Sequence, residues 1–279
     1  MSNEIALRPS YWASVSGGKD SLYMLNLILH NLDRYPLDGV VHFELEIDYP
    51  FIHDVIDYME SECKRFGIRF VRLKPRKTWE ELYYTTNPKT GYIYGFPNRI
   101  VRWCNDHYKM DAKHQLSQWM NSLGYYVVYY IGYCADEERR FNKRLYSQKI
   151  ERYPLVENGI TEDGIWEWAK SQPIFNHYYE TQKRCGCMYC PMSKYLNFAY
   201  LYKYYPQKFS YMIEKMRETE QIREAQLGRP FSVISSNPKY NADYLENIIK
   251  TKWLKILEDK EKGALELSKC IEENGYDKL

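Results

Sequence analysis

The stretch that decides the fold is Ser16-Gly17-Gly18-Lys19-Asp20-Ser21, which separates a short β-compatible run at residues 11–16 from an apolar helical pattern. That helical pattern is formed by four leucines, Leu22, Leu25, Leu29 and Leu32. Their spacing of three to four residues is typical of one face of a helix. Two adjacent glycines permit a tight turn between the two elements. The stretch therefore predicts a strand, a glycine turn and a helix.

Strand-like and helix-like segments continue to alternate after this turn. Further strands are predicted at residues 39–45, 68–73 and 125–131, and helices at residues 50–66 and 106–123. This alternation predicts an α/β fold, a Rossmann-like parallel sheet with helices on both faces. From residue 159 no further strand pattern is found, and residues 250–269 predict a charged helix. We therefore expect a nucleotide-binding domain at residues 1–158 and a mostly helical C-terminal part at residues 159–279.

Composition limits the classes of partner. The 39 basic and 37 acidic residues give a formal charge of +2, which excludes a chain-wide positive field and leaves room only for a local basic patch. No run of about 18 apolar residues occurs, and the polar start of the chain has no signal-peptide pattern. We expect a cytoplasmic protein without a membrane partner.

The chemistry of the glycine turn favours phosphate binding. Parallel sheets bind ligands at the carboxyl ends of their strands, where this turn would lie. Glycine backbone N–H groups and the positive end of the following helix dipole attract anions. Lys19 is expected to be an exposed cation, and Ser16 and Ser21 add hydroxyl donors. The spacing differs from that of a Walker loop.

At these residues the chain resembles the PP-loop ATP pyrophosphatase superfamily, and within it the group of phosphoadenosine-phosphosulfate reductases and sulfate adenylyltransferase small subunits. Three later segments carry the same resemblance, and all lie within the first 200 or so residues. They are Arg102-Trp103-Cys104-Asn105 followed by Lys109, the segment from Gly132 to the charged turn Ala135-Asp136-Glu137-Glu138-Arg139-Arg140, and Tyr153-Pro154-Leu155 followed by Thr161-Glu162. The resemblance implies an adenine nucleotide alpha hydrolase-like fold.

The resemblance also implies a function for individual residues. Ser16, Gly17, Gly18, Lys19, Asp20, Ser21 and Arg140 would bind ATP with Mg²⁺, with Lys19 and Asp20 as the catalytic residues. Arg102 and Lys109 would contact the substrate. The implied activity is adenylation of a substrate with release of pyrophosphate, in sulfur transfer or sulfur metabolism. The acceptor would be a sulfur-containing small molecule or a nucleic acid.

Two departures from the group restrict this interpretation. Cys134 stands where many relatives have an arginine, and the late Cys270 lies outside any Glu-Cys-Gly segment of the kind that true reductases carry. Reductase activity itself is therefore not expected. The alternative function is a nucleotide-binding regulatory or assembly protein without turnover.

Three cysteines within six residues, Cys185, Cys187 and Cys190, predict a metal site. The chain has seven cysteines, and this odd, clustered set is typical of thiolate ligands rather than of a disulfide framework. A closed site needs a fourth ligand, for which Cys104 is the first candidate and Cys134 the reserve. Four thiolates suit a 4Fe-4S cluster or, alternatively, Zn²⁺. Cys63 lies in a predicted helix and is expected to be an ordinary thiol.

Overall fold

The computed structural model describes residues 7–141 and 150–274. Its strands form one parallel sheet in the order β3-β2-β1-β4-β5. They are β1 (Arg8–Val15), β2 (Gly39–Phe43), β3 (Phe70–Leu73), β4 (Tyr125–Ile131) and β5 (Glu151–Arg152). The predicted parallel sheet is confirmed. Strand β5 was not predicted, because a glutamate and an arginine carry no strand pattern.

Helices account for most of the remaining described secondary structure. They are α1 (Lys19–Leu29), α2 (Phe51–Arg65), α3 (Trp79–Tyr83), α4 (Met110–Ser122), α5 (Glu138–Phe141), α6 (Pro154–Glu157), α7 (Glu162–Lys170), α8 (Tyr178–Thr181), α9 (Tyr195–Tyr204), α10 (Pro206–Leu227), α11 (Ala242–Ile248) and α12 (Leu254–Asn274), with π-helical segments at Cys104–Lys109 and Ile249–Trp253. The predicted charged turn at residues 135–140 is partly wrong, since α5 already begins at Glu138.

Helices cover both faces of the sheet, as predicted. On one face Ala112, Leu116 and Met120 of α4, each four residues apart, pack against inward-facing residues of the central strands. These strand residues are Trp12, Val41, Phe43, Val127 and Tyr129. On the other face α1 packs against β1, whose side chains alternate between the two faces.

Packing divides the chain into two compact units. The first contains Met1–Thr78 and Asp106–Phe175, and it includes the whole sheet. The second contains Trp79–Asn105 and Asn176–Leu279. Segment 79–105 thus belongs to the same unit as the C-terminal helices. The domain boundary expected after residue 158 stays a prediction.

The second unit has an aromatic core around Trp79, which is 3% exposed. Its ring lies 5.6 Å from the ring centroids of both Trp103 and Tyr189, and 5.9 Å from that of Phe96. These contacts hold the segment before Cys104 against the segment that contains Cys187 and Cys190, because Trp103 directly precedes Cys104 and Tyr189 directly precedes Cys190. No helix in the described ranges is both long enough and apolar enough to cross a bilayer.

Candidate active site

Two loops meet at the carboxyl edge of the sheet, between β1 and β4. The chain continues from β1 to β2 on one side, while β4 pairs with β1 on the other. Ligands bind at such a switch point in parallel sheets. Residues 16–21 follow β1 and Gly132 follows β4. A Cβ atom on Gly132 would lie only 3.2 Å from the Asp20 carbonyl oxygen, so the two loops are in close contact.

The turn after β1 requires its first glycine. Gly17 has φ +72°, a left-handed conformation that side chains rarely adopt. A Cβ atom there would also lie 2.7 Å from Cγ2 of Ile52. Gly18 precedes α1 and has no side chain to cap the first turn of the helix. An anion can therefore take the cap position, where the helix dipole is positive.

The two serines hold the turn in this shape. The Ser21 hydroxyl donates to the carbonyl oxygen of Gly18 at 2.9 Å and accepts from the backbone N–H of Ser16 at 3.2 Å. The backbone N–H of Gly18 donates to Ser16 Oγ at 3.4 Å. These bonds close a compact ring of backbone and hydroxyl groups at the start of α1.

Lys19 is buried, and the expectation of an exposed cation is wrong. The residue is 4% exposed, and its Nζ lies 2.6 Å from Oδ1 of Asp20 and 3.2 Å from Oε1 of Glu162. Glu162 is the first residue of α7, and its backbone N–H donates to the Asp136 carboxylate. Tertiary packing of α1 against α7 covers the ammonium, which no local pattern reveals.

Acidic groups gather around this ammonium. Burial raises the pKa of Asp20, the Lys19 charge opposes that shift, and the charges of Glu162 and Glu137 add to it. Glu137 is 6% exposed and lies in the loop after β4. The cation therefore holds together carboxylates that would otherwise repel one another.

Arg140 lies in the same acidic loop system. Its Nη1 is 2.6 Å from Oε1 of Glu137, and its guanidinium stacks 4.4 Å above the ring centroid of Tyr133. The other Glu137 oxygen accepts the backbone N–H of Cys134 at 3.2 Å. About half of the Arg140 side chain is exposed, so its outer face can reach an anion.

The two expected substrate contacts lie in different units. The Arg102 charge acts on the Cys104 thiol, in the second unit. The Lys109 charge acts on the Asp48 carboxyl, in the first unit. Each cation therefore has an ionisable neighbour within its own unit.

Sequence reasoning missed two groups near the end of β2. Burial raises the pKa of Asp48 to about 6, although the Leu45 backbone N–H donates to its carboxylate and Lys109 and His53 lie nearby. A carboxyl with that pKa can exchange protons near neutrality. Its signal was an acidic residue in the short loop after a buried strand, five residues beyond the end of β2.

The second missed group is His42, which lies within β2 and is 2% exposed. Its Nδ1 lies 3.1 Å from the carbonyl oxygen of Val15, and its Nε2 is buried without a hydrogen-bond partner in the described structure. Burial lowers the pKa of this imidazole. A neutral histidine therefore supports the last residue of β1, directly before the glycine turn.

The clustered cysteines lie close to Cys104 in the second unit. A hydrogen bond from the Cys187 thiol lowers the pKa of Cys190 to about 6. Burial raises the pKa of Cys104 to about 11, and the charge of Cys190 adds to that shift. Burial raises the pKa of Tyr178, and the charges of Cys185, Cys190 and Cys187 all add to that shift. The four expected ligands thus share one neighbourhood.

These thiols do not form a closed ligand set. Within residues 7–141 and 150–274, no group of three or more His, Cys, Asp or Glu side chains is arranged to hold a metal ion. The reserve ligand Cys134 lies in the first unit, where the charges of Asp20 and Glu137 act on it. Cys63 is a fully buried core thiol of α2. The choice between Cys104 and Cys134 as the fourth ligand stays a prediction.

No protein-family model and no curated protein sequence matches this chain. Among solved structures it is similar to the U34-tRNA thiolase NcsA from Methanococcus maripaludis, solved with its 4Fe-4S cluster. The TM-score is 0.38 and the sequence identity 14%, over 88% of this chain and 74% of that chain. A similarity this low does not define a function.

Asp48 makes stability depend on pH. Because its pKa is raised from 3.8 to about 6 in the folded chain, its contribution to stability is complete below about pH 4 and is lost as the pH rises through about 6. We expect Asp48→Asn to stabilise the protein at pH 8 by up to about 3 kcal/mol. Urea unfolding at pH 4.5 and pH 8 measures this difference, which should shrink at the lower pH.

The control for this experiment is Asp33→Asn, at an exposed carboxylate. It should give no comparable pH-dependent gain. An Asp48→Asn protein whose free energy of unfolding equals that of the wild type at pH 8 would show that burial of the ionised Asp48 carboxylate does not destabilise the fold.

Proposed function

We propose that this chain is an ATP-binding protein of the PP-loop type, similar to the phosphoadenosine-phosphosulfate reductase group, that adenylates a substrate and releases pyrophosphate in sulfur transfer. The observation that carries the proposal is the Lys19 ammonium, buried at the first turn of α1 beside the left-handed Gly17. A buried ammonium at an uncapped helix start, at the switch point of a parallel sheet, suits a phosphate chain.

ATP binding exchanges the partners of Lys19. In the free chain its ammonium contacts Asp20 and Glu162; with nucleotide bound, it and the amides of the turn contact the β and γ phosphates. Arg140 contributes a second cation from the loop after β4. The oxygens of Asp20 and Glu162 are suitable ligands for Mg²⁺, which supplies positive charge for the triphosphate.

The reaction follows from the contacts to the β and γ phosphates, which leave the α phosphate open to attack. A substrate oxygen attacks the α phosphorus, and the bond from that phosphorus to the bridging oxygen of the β phosphate breaks. Pyrophosphate leaves with the electron pair, and Lys19 and Arg140 stabilise the charge it gains. A sulfur nucleophile then displaces AMP from the adenylated substrate. Asp48, with a pKa of about 6, is suited to accept the proton that the substrate loses when its oxygen attacks.

The thiol neighbourhood supports the sulfur part of the proposal. Cys104, Cys185, Cys187 and Cys190 would hold a 4Fe-4S cluster or, alternatively, Zn²⁺. Thiolates are the ligands that both centres require, and the Cys190 pKa of about 6 provides one thiolate at neutral pH. An iron–sulfur cluster held by only three of these thiolates would leave one iron able to take a sulfur ligand, whereas a cluster or a zinc ion held by all four would have no open position.

A second candidate function is a nucleotide-binding regulatory or assembly protein without turnover. The observation that favours it is Cys134, which is fully buried beside Glu137 in the position where many relatives have an arginine. This candidate retains ATP binding but predicts no release of pyrophosphate with any acceptor.

The products of ATP distinguish these candidates. We expect AMP and pyrophosphate, because the loop holds the β and γ phosphates as one leaving group and exposes the α phosphate. Anaerobic incubation with ATP, Mg²⁺ and candidate acceptors, followed by ion-exchange chromatography, measures them. Lys19→Ala should reduce the rate at least about a hundredfold, whereas Lys170→Ala, which removes a surface cation of α7, should not change it.

Accumulation of ADP and phosphate would contradict the proposed chemistry. ATP binding without any hydrolysis, with every acceptor tried, would favour the regulatory function.

Removal of a single thiol tests the metal centre. We expect Cys187→Ser and Cys190→Ser to lower the iron or zinc content per chain and the melting temperature, because the free energy of metal binding adds to that of folding. Metal analysis of anaerobically purified protein measures the content. Cys63→Ala is the matched control: it removes a buried thiol far from the cluster in sequence and should leave the metal content unchanged. Equal metal content in all four proteins would contradict this assignment.

A further inference from the structure

A cavity of about 480 Å³ lies directly beside the thiol neighbourhood, within the second unit. Pro191 and Met192, which line it, follow Cys190 in the chain. Its walls are largely apolar, with Phe198, Met216 and Leu245 among the lining residues. The volume falls in the range of small-molecule sites.

Aromatic rings form part of the cavity wall. Tyr195 and Trp253 both line it, with ring centroids 5.5 Å apart and planes inclined at 47°. Phe198 adds a third ring. Flat aromatic ligands gain free energy by stacking on such rings, and every nucleobase has a face that can stack.

The charged residues of the cavity are all cations. Arg99 and Lys194 line it, and neither an aspartate nor a glutamate does. Both side chains are exposed, and neither forms an ion pair with a carboxylate in the described ranges. Arg102, three residues after Arg99, also has no such partner there. Cations without a carboxylate partner beside an apolar cavity are complementary to a ligand that is both aromatic and anionic.

An exposed isoleucine stands between these arginines. Ile100 is 93% exposed, the largest fraction among the large exposed hydrophobic residues of the described chain. The Asn98 side chain accepts the backbone N–H groups of Ile100 and Val101, both at 2.8 Å, and the Asn98 backbone N–H donates to the Val101 carbonyl oxygen at 3.1 Å. The turn is therefore held by its own hydrogen bonds while it presents Ile100 to solvent.

We propose that this cavity takes one base of a single-stranded nucleic acid, and that this nucleotide is the acceptor of the sulfur chemistry. The base stacks on Tyr195, Phe198 and Trp253, while Arg99, Lys194 and Arg102 contact phosphates on either side. Ile100 packs against the neighbouring base, as apolar wedges do in other nucleic-acid complexes. A free mononucleotide would fill the cavity without using Ile100 or Arg102, so a polynucleotide uses more of the observed surface.

The identity of the acceptor rests on the proposed function, but binding to the cavity does not. RNA and DNA share the required chemistry, a base beside phosphates, and the experiment separates them. The near-neutral chain as a whole predicts weak non-specific attraction, so binding should depend on the few cations at this cavity.

The test is fluorescence anisotropy with labelled single-stranded RNA and DNA of 12 nucleotides, on anaerobically purified full-length protein at several KCl concentrations. At least one of the two oligomers should bind. The double variant Arg99→Ala/Lys194→Ala should bind at least about tenfold more weakly, and the slope of log affinity against log salt should fall by about 1.4, the value for two lost phosphate contacts on a single strand. Ile100→Ser should weaken binding several-fold without changing that slope.

The matched controls are Lys255→Ala/Lys260→Ala and Leu265→Ser, which change exposed residues on α12 of the same unit. They should bind as the wild type does. An oligomer that carries 2-aminopurine should report stacking of the base through quenched fluorescence, and Trp253→Leu should restore part of that fluorescence.

Absence of binding to both oligomers, or equal affinity and salt slope in the cavity and control variants, would overturn the inference. ATP affinity, measured in the same proteins, keeps the two proposals apart. Oligomer binding without ATP binding would leave the cavity assignment standing and remove the proposed function. ATP turnover without oligomer binding would leave the proposed function standing and remove the cavity assignment.

Discussion

The ion pairs of Lys19 with Asp20 and Glu162 are the interaction on which the phosphate site depends. A buried ammonium is costly to remove from water unless carboxylates replace its hydration. Here Asp20 comes from the same turn and Glu162 from the start of α7, so residues far apart in the sequence meet at one cation. Substitution of Lys19 would leave those carboxylates facing each other, and burial already raises the pKa of Asp20.

Close backbone packing explains why the site is glycine-rich. The Asp20 carbonyl approaches Gly132 so closely that a side chain there would require the start of α1 to shift by a few tenths of an ångström. Gly17 must adopt a left-handed conformation beside Ile52. A side chain at Gly17 would therefore be strained and would overlap Ile52, whereas one at Gly132 would need a small shift of the neighbouring backbone. What remains at this edge of the sheet is backbone, two hydroxyl groups and a set of charges that a magnesium–nucleotide complex can rearrange.

The sequence allowed the sheet to be predicted well and the site only in part. Residues 125–131 have the same bounds in prediction and structure, because a run of tyrosine, valine and isoleucine is a strong strand pattern. The strand before residues 16–21 and the helix after them were predicted for similar local reasons. Burial of Lys19 and the raised pKa of Asp48 depend on α7 and on packing around the β2 loop, which involve long-range contacts. Residues 79–105 pack with the C-terminal helices, and this packing brings Cys104 beside Cys190. No local pattern in the sequence shows it.

The central claim is that phosphates replace carboxylates around Lys19, and calorimetry of ATP binding with and without Mg²⁺ tests it most directly. The wild type should bind ATP tightly only with Mg²⁺, because the carboxylates otherwise repel the triphosphate and retain the ammonium. In the absence of Mg²⁺, Glu162→Gln should bind ATP about tenfold more tightly than the wild type, since one competing charge is gone. Equal affinity of the two proteins without Mg²⁺ would contradict the account.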